Sequence, residues 1–103
     1  MIVIRAKTEN DVYRIIFNAI RTSAMPATVV YVGRAKPKGV YVHKIEEELL
    51  PSVPGYLVYR TGRIEYPEII IGIVTRGNSR HEAVDRLLEA IEGYKGAVVK
   101  EEL

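Results

Sequence analysis

Four cations fall within eleven residues: Arg34, Lys36, Lys38 and Lys44. Tyr31 and Tyr41 flank them, and Gly33 and Gly39 bracket the first three. Cationic heads beside aromatic rings, on a backbone that glycine lets come close, suit the holding of anions. A small anion, a nucleotide or a nucleic-acid strand would fit that chemistry, and a solvated basic loop would show the same residues. The acidic run Glu46-Glu47-Glu48 follows at once and works against a polyanion. A second cationic group, Arg60, Arg63 and Arg76, stands beside Glu65 and Glu68, so pairing across strands competes with any anion site there.

Catalytic and metal signals are sparse. His43 and His81 are the only histidines, and no HExxH pattern or carboxylate cluster at ligand spacing accompanies them. A metal shared between subunits would need only one ligand from each, so metal and cofactor stay open. The serines, Ser23, Ser52 and Ser79, lie in no GxSxG context, and neither a phosphate-binding loop nor a dinucleotide fingerprint occurs. Glu82, Asp85, Glu89 and Glu92 recur on the outward side of a helical stretch and read as a solvated face. Binding is therefore expected rather than catalysis.

The elements that would position these residues follow from periodicity. Ile2 to Ala6 is a short β-branched strand. Thr8 with Asp11 predicts a helix start, and Val12, Ile15, Ile16, Ala19 and Ile20 a buried stripe behind it. Residues 28–32 and 40–43 read as two strands of a hairpin whose tip carries the lysines. Residues 56–66 read as a second ribbon turning at Thr61-Gly62. Residues 68–75, nearly continuous isoleucine and valine, are the strongest strand. Ser79 with Glu82 starts a second helix carrying Ala83, Val84, Leu87, Leu88, Ala90 and Ile91, expected to stop at Gly93. A last strand covers 97–100.

That order predicts an α+β fold: a ferredoxin-like split βαβ sandwich over residues 1–103, one domain, with both helices on one face and a β-rich insertion at 33–66. The first strand and the 69–74 strand would lie in mid-sheet. A strand apolar on both faces would then need cover on its second face, from the 33–66 insertion folding back or from a second subunit, and a homo-oligomer is the expected case. Tyr13 and Phe17 widen the apolar arc of the first helix and point the same way.

The totals bound these expectations. The chain has 103 residues, a formal charge of +2, 48% hydrophobic residues and no cysteine. Disulfides, thiol nucleophiles and cysteine metal sites are excluded. Glutamine is absent, as in many thermophile proteins poor in heat-labile side chains. No apolar run reaches membrane-spanning length and no signal segment opens the chain, so a cytoplasmic location is expected. The strand of 69–74 lacks the aromatics of an RNA-recognition sheet.

Two short segments carry a family likeness. Gly62-Arg63-Ile64-Glu65 after an aromatic strand, and Val74-Thr75-Arg76 before the second helix, resemble the CutA divalent-cation-tolerance family. The loop around Gly33-Arg34 and Lys38-Gly39 is similar to the exposed loop of the related PII proteins. The chain departs from that family in having no cysteine and no tryptophan. The resemblance implies a non-enzymatic ferredoxin-like trimer binding a small ligand or metal ion in a regulatory or tolerance role, with Arg34, Lys36, Lys38 and Lys44 facing the ligand. The alternative is a nucleic-acid-binding protein using residues 33–44 as a basic arm.

Overall fold

Isoleucine and valine dominate the interior, and their placement decides the layers. The computed structural model describes residues 1–36 and 40–102, with 100–102 as backbone only. Its elements are β1 (Ile2–Ala6), α1 (Glu9–Arg21), β2 (Ala27–Arg34), β3 (Val40–Ile45), a 3-10 turn (Glu47–Leu49), β4 (Gly55–Arg60), β5 (Gly62–Glu65), β6 (Ile69–Gly77), α2 (Arg80–Ala97) and β7 (Val98–Glu102). Both helices start at the caps that their spacing predicts. The Thr8 hydroxyl accepts from the Asp11 amide at 3.1 Å, and the Ser79 hydroxyl from the Glu82 amide at 3.2 Å.

The four-stranded sheet runs β1-β4-β6-β2, and a second sheet runs β5-β3-β7. β1 and β4 are parallel, while β6 is antiparallel to both its neighbours. The α+β class holds, but the ferredoxin-like plan does not describe this sheet. β4, from the 33–66 segment, takes the central place expected of β1, and β1 lies at an edge. β7 leaves the main sheet to pair with β3.

The helices lie on opposite faces. Val12, Ile16 and Ala19 of α1 pack with Val58 and Val74. Ala90, Tyr94 and Ala97 of α2 pack with Leu57, Tyr59, Ile71 and Ile73. Neighbours Leu57 and Val58 point to opposite faces of a strand, so each helix owns one. β6 is consequently covered on both sides within one chain, and eight of its nine residues are buried. The doubly apolar strand thus no longer calls for a second subunit.

Two glycines permit close approaches. A Cβ on Gly72 would lie 2.1 Å from Ile16 Cδ1, so α1 seats directly on β6. A Cβ on Gly93 would lie 2.2 Å from Pro51 Cδ. Gly93 therefore makes room for Pro51, and α2 does not stop there but runs four residues further to Ala97. The buried stripe of α2 is Ala83, Ala90, Tyr94 and Ala97, while Val84 and Leu88 are exposed. On the α1 side, Tyr13 and Phe17 are exposed at 47% and 62%.

Candidate functional site

The cationic stretch does not form a hairpin. β2 pairs with β6, whereas β3 pairs with β5 and β7, so the two strands belong to different sheets. The backbone just after β2 is pinned at Ala35 and Lys36. The Ala35 amide donates to the Glu68 carbonyl at 2.8 Å. The Lys36 amide donates to the Tyr41 hydroxyl at 3.2 Å. The Arg34 guanidinium donates to the Pro67 carbonyl at 3.0 Å. Arg34 and Lys36 are thus part of a built wall, not of a free arm. Lys38 lies outside the described residues.

A β-bulge shapes this wall. Gly33 faces Ile71 and Arg34 faces Ile69, which leaves Ile70 as the extra residue of β6. The bulge turns Ile70 and Ile71 into the same core and sends Ile69 to the other. Beside it opens a cleft of about 380 Å³, lined by Tyr31, Gly33, Arg34, Lys36, Ile70, Ile71, Tyr94, Lys95 and Val98. Three cations and two phenols meet there on an apolar floor. Gly33 keeps the cleft open, since a Cβ there would sit 2.7 Å from Ile71 Cγ2 and 3.3 Å from the Tyr31 hydroxyl.

Tyr94 links the cleft to the core. Its hydroxyl lies 3.0 Å from Nε2 of His43, and Nδ1 of His43 lies 2.6 Å from the Arg60 carbonyl. A carbonyl only accepts, so Nδ1 carries a proton. His43 is fully buried and Tyr94 is 7% exposed. Burial, followed by the neighbouring phenols of Tyr31 and Tyr41, pushes the Tyr94 pKa above the ordinary tyrosine value, so its hydroxyl keeps its proton at neutral pH.

Lys44 stands apart. It lines a second cleft of about 460 Å³ with Arg5, His43, Tyr59, Thr61 and Gly62. Arg5 is engaged there, its guanidinium on Glu47 at 2.8 Å and on the Tyr59 hydroxyl at 3.0 Å. Of the four sequence-predicted cations, the structure therefore brings Arg34 and Lys36 together and separates Lys44.

The remaining charged groups take bland roles. Arg60 and Glu68 form a partly buried ion pair, and the Arg60 hydrogen bond holds the Glu68 carboxyl below the usual glutamate range. Arg76 stacks over the Tyr56 ring with 5.2 Å to its centre. His81 is exposed beside Asp85 at 3.4 Å. Among the described residues no group of three or more His, Asp or Glu side chains could hold a metal ion, and no helix is long and apolar enough to cross a membrane. Sequence reading weighed His43 only as a metal ligand and missed Tyr94 and Lys95. The spacing of Ala83, Leu87, Ala90, Tyr94 and Ala97 does continue one helical stripe through Gly93, and it could have placed Tyr94 inside.

This is a two-helix fold with a mixed sheet between the helices and a smaller sheet beside it. Solved structures share it. Molybdopterin cofactor biosynthesis protein E from Burkholderia multivorans superposes with a TM-score of 0.71 at 15% identity, over 98% of this chain and 80% of that one. The molybdopterin biosynthesis MoaE protein from Burkholderia ambifaria gives 0.69 at 12%, over 99% and 88%. Molybdopterin synthase from Staphylococcus aureus gives 0.71 at 18%, over 98% and 88%. At such identities the likeness is one of fold. No family model and no curated protein matches the chain. The CutA and PII resemblance is overturned: the fold is that of the MoaE structures, and with it falls the expectation of a non-enzymatic regulatory trimer. The Gly62-Arg63-Ile64-Glu65 segment that carried the resemblance is β5 of the small sheet, where it pairs with β3. The basic-arm alternative falls with the hairpin.

Proposed function

We propose that this chain takes part in molybdopterin synthesis as a MoaE-like protein, and that it holds an anionic pterin in the cleft of Arg34, Lys36, Tyr94 and Lys95. The observation that carries the proposal is the cleft itself, where three cations and two tyrosines converge at the bulge of the central strand. The fold likeness over nearly the whole chain supplies the pterin, and the cations supply the anionic group. The tyrosines offer flat faces and hydroxyls to a heterocycle, and the cations offer charge-assisted hydrogen bonds. The chain has no cysteine, and no serine lines the cleft. Its own groups bind, orient and hold protons there.

A second copy of the chain belongs to the same proposal, supported by the exposed aromatics Tyr13 and Phe17 on α1. The trimer is not carried over, because its grounds were the family resemblance and the strand with a bare face. Native mass spectrometry is expected to show more than the 11.6 kDa chain mass, and a monomer at all concentrations would remove this part.

The functional test is molybdopterin formation in cells that lack their own MoaE protein. Wild-type chain is expected to restore it, and the Arg34→Glu, Lys36→Glu double variant to fail while folding normally. Equal restoration by the double variant would refute the cleft, and no restoration by either would refute the molybdopterin assignment.

A further inference from the structure

β2 ends the main sheet. It pairs with β6, and among the described residues nothing pairs with its other edge. With eight residues it offers roughly 26 Å of free backbone donors and acceptors. Open edges are ordinarily guarded by lysine, proline or a covering segment. Between Ala27 and Gly33 this strand carries no charge and no proline, and Val30 and Val32 are exposed.

Both helices turn an apolar flank to the same edge. β1 and β2 run parallel, so α1 is the crossover between them. The right-handed sense of such a crossover puts the flank one position past Val12, Ile16 and Ala19 on the β2 side. That flank is Tyr13, Phe17 and Ile20, all exposed. On α2, Gly93 faces Pro51, while Lys95 meets Tyr31 and Arg34 of β2 at the cleft. Val84 and Leu88 share the Lys95 flank and are exposed. Seven of the ten large apolar side chains exposed among the described residues therefore lie along one edge.

We propose that this edge is a dimer interface, in which two copies of the chain pair antiparallel through β2 about a two-fold axis perpendicular to the sheet. The pairing joins two four-stranded sheets into one. It gives the second copy of the proposed function a place and a symmetry, and it is independent of the pterin. Strands about 4.8 Å apart set the helix spacing across the seam. α2 packs over β6 and β2, so the two α2 axes come roughly 10 Å apart, an ordinary helix-packing distance. Val84 and Leu88 are of the size that such a contact takes. α1 packs over β4 and β6, so its two copies stand roughly 19 Å apart above Val30 and Val32. This wider gap is the one provided with the long rings of Tyr13 and Phe17. An edge about 26 Å long and about 25 Å deep, helix to helix, presents on the order of 600 Å² per copy. That approaches the about 800 Å² per partner of a standard interface. A bare strand edge is its own complement, and the uncharged stretch of β2 leaves nothing there to repel a second copy.

The experiment is sedimentation velocity over a range of concentrations, joined by hydrogen exchange read at single amides. Wild type should sediment near twice the 11.6 kDa chain mass. Val30→Lys, Phe17→Glu and Leu88→Glu should each raise the dimer dissociation constant by at least about tenfold. Ile2→Lys, at an equally exposed site on the opposite edge strand, should stay within about twofold. Circular dichroism should show all four variants folded, and Phe17 and Leu88 stand on helix surfaces where a charge is tolerated. In the wild-type dimer successive β2 amides should all be protected, whereas in Phe17→Glu every second one, facing away from β6, should exchange fast. A dimer unmoved by the three variants, or one with those alternate amides unprotected, would overturn the interface and leave the second copy standing. A monomer at every concentration would overturn both and leave the edge to a different protein. Neither result bears on pterin binding, which has its own titration.

Discussion

Substituting Gly72 by alanine tests how α1 is seated. The added Cβ would lie 2.1 Å from Ile16 Cδ1, 2.9 Å from Ile16 Cγ1 and 3.4 Å from Val12 Cγ1. A terminal methyl could swing away, but Cγ1 is one bond from the branched Cβ and cannot clear without moving the helix. Overpacking of this kind costs about 1–3 kcal/mol. For a chain of this size the melting temperature should fall by about 4–8 °C per kcal/mol, so roughly 5–20 °C in all. Ile16→Ala alone, at a 6%-exposed position, should cost about 2–5 kcal/mol through the cavity it leaves. Combined, the two should not add, because the new methyl enters the space that Ile16 vacates. In the Ile16→Ala background Gly72→Ala should cost roughly 0.5 kcal/mol or less, a favourable coupling of at least about 0.5 kcal/mol and up to about 2.5 kcal/mol. Urea unfolding followed by circular dichroism measures all four corners of the cycle. Additive costs, or a harmless Gly72→Ala in the wild-type chain, would refute the direct seating of α1 on β6 and the two-faced arrangement derived from it.

Three further outcomes follow from the same geometry. Phe17→Ala, at 62% exposure, should change the stability of the isolated chain by less than about 0.5 kcal/mol, in contrast to its neighbour Ile16; thermal melts at low protein concentration compare them. Thr8→Ala and Ser79→Ala should each cost about 0.5–2 kcal/mol, read from denaturant midpoints, because each removes the hydroxyl that accepts a first-turn amide. Glu68 has a folded-state pKa below its unfolded value near 4.5, so the stability it contributes is complete above that value and is lost as pH falls toward and through the folded pKa. A Glu68→Gln variant should therefore be less stable at neutral pH and show a flatter decline below pH 4.5 than wild type in acid titration of unfolding.

Helix starts, the β-branched strands and the central burial of β6 were legible because capping residues and apolar periodicity act locally. The sheet order was not. The four apolar strands β1, β2, β4 and β6 could pair in several orders, and only the global packing selects β4 as the neighbour of both β1 and β6. Gly93 misled for a specific reason. Glycine past an apolar stripe resembles a helix end, but here it answers a steric demand from Pro51, forty-two residues back in the chain. The cations of the candidate site were legible as residue types, and Arg34 and Lys36 do share a wall. Their partners were not, since Tyr94 and Lys95 reach the wall, and His43 reaches Tyr94, only through the packing of α2 and the small sheet onto the main one. Lys44, close in sequence, faces the second cleft because β3 left the sheet that holds β2.

The central claim is that the Arg34–Lys36 cleft takes an anionic pterin. Calorimetric titration of the purified chain with a phosphorylated pterin addresses it directly, with the Lys36→Glu variant as control. Saturable one-to-one binding that weakens in Lys36→Glu, and weakens with added salt, is the expected result. Heat that does not saturate, or binding of equal strength in Lys36→Glu, would contradict it.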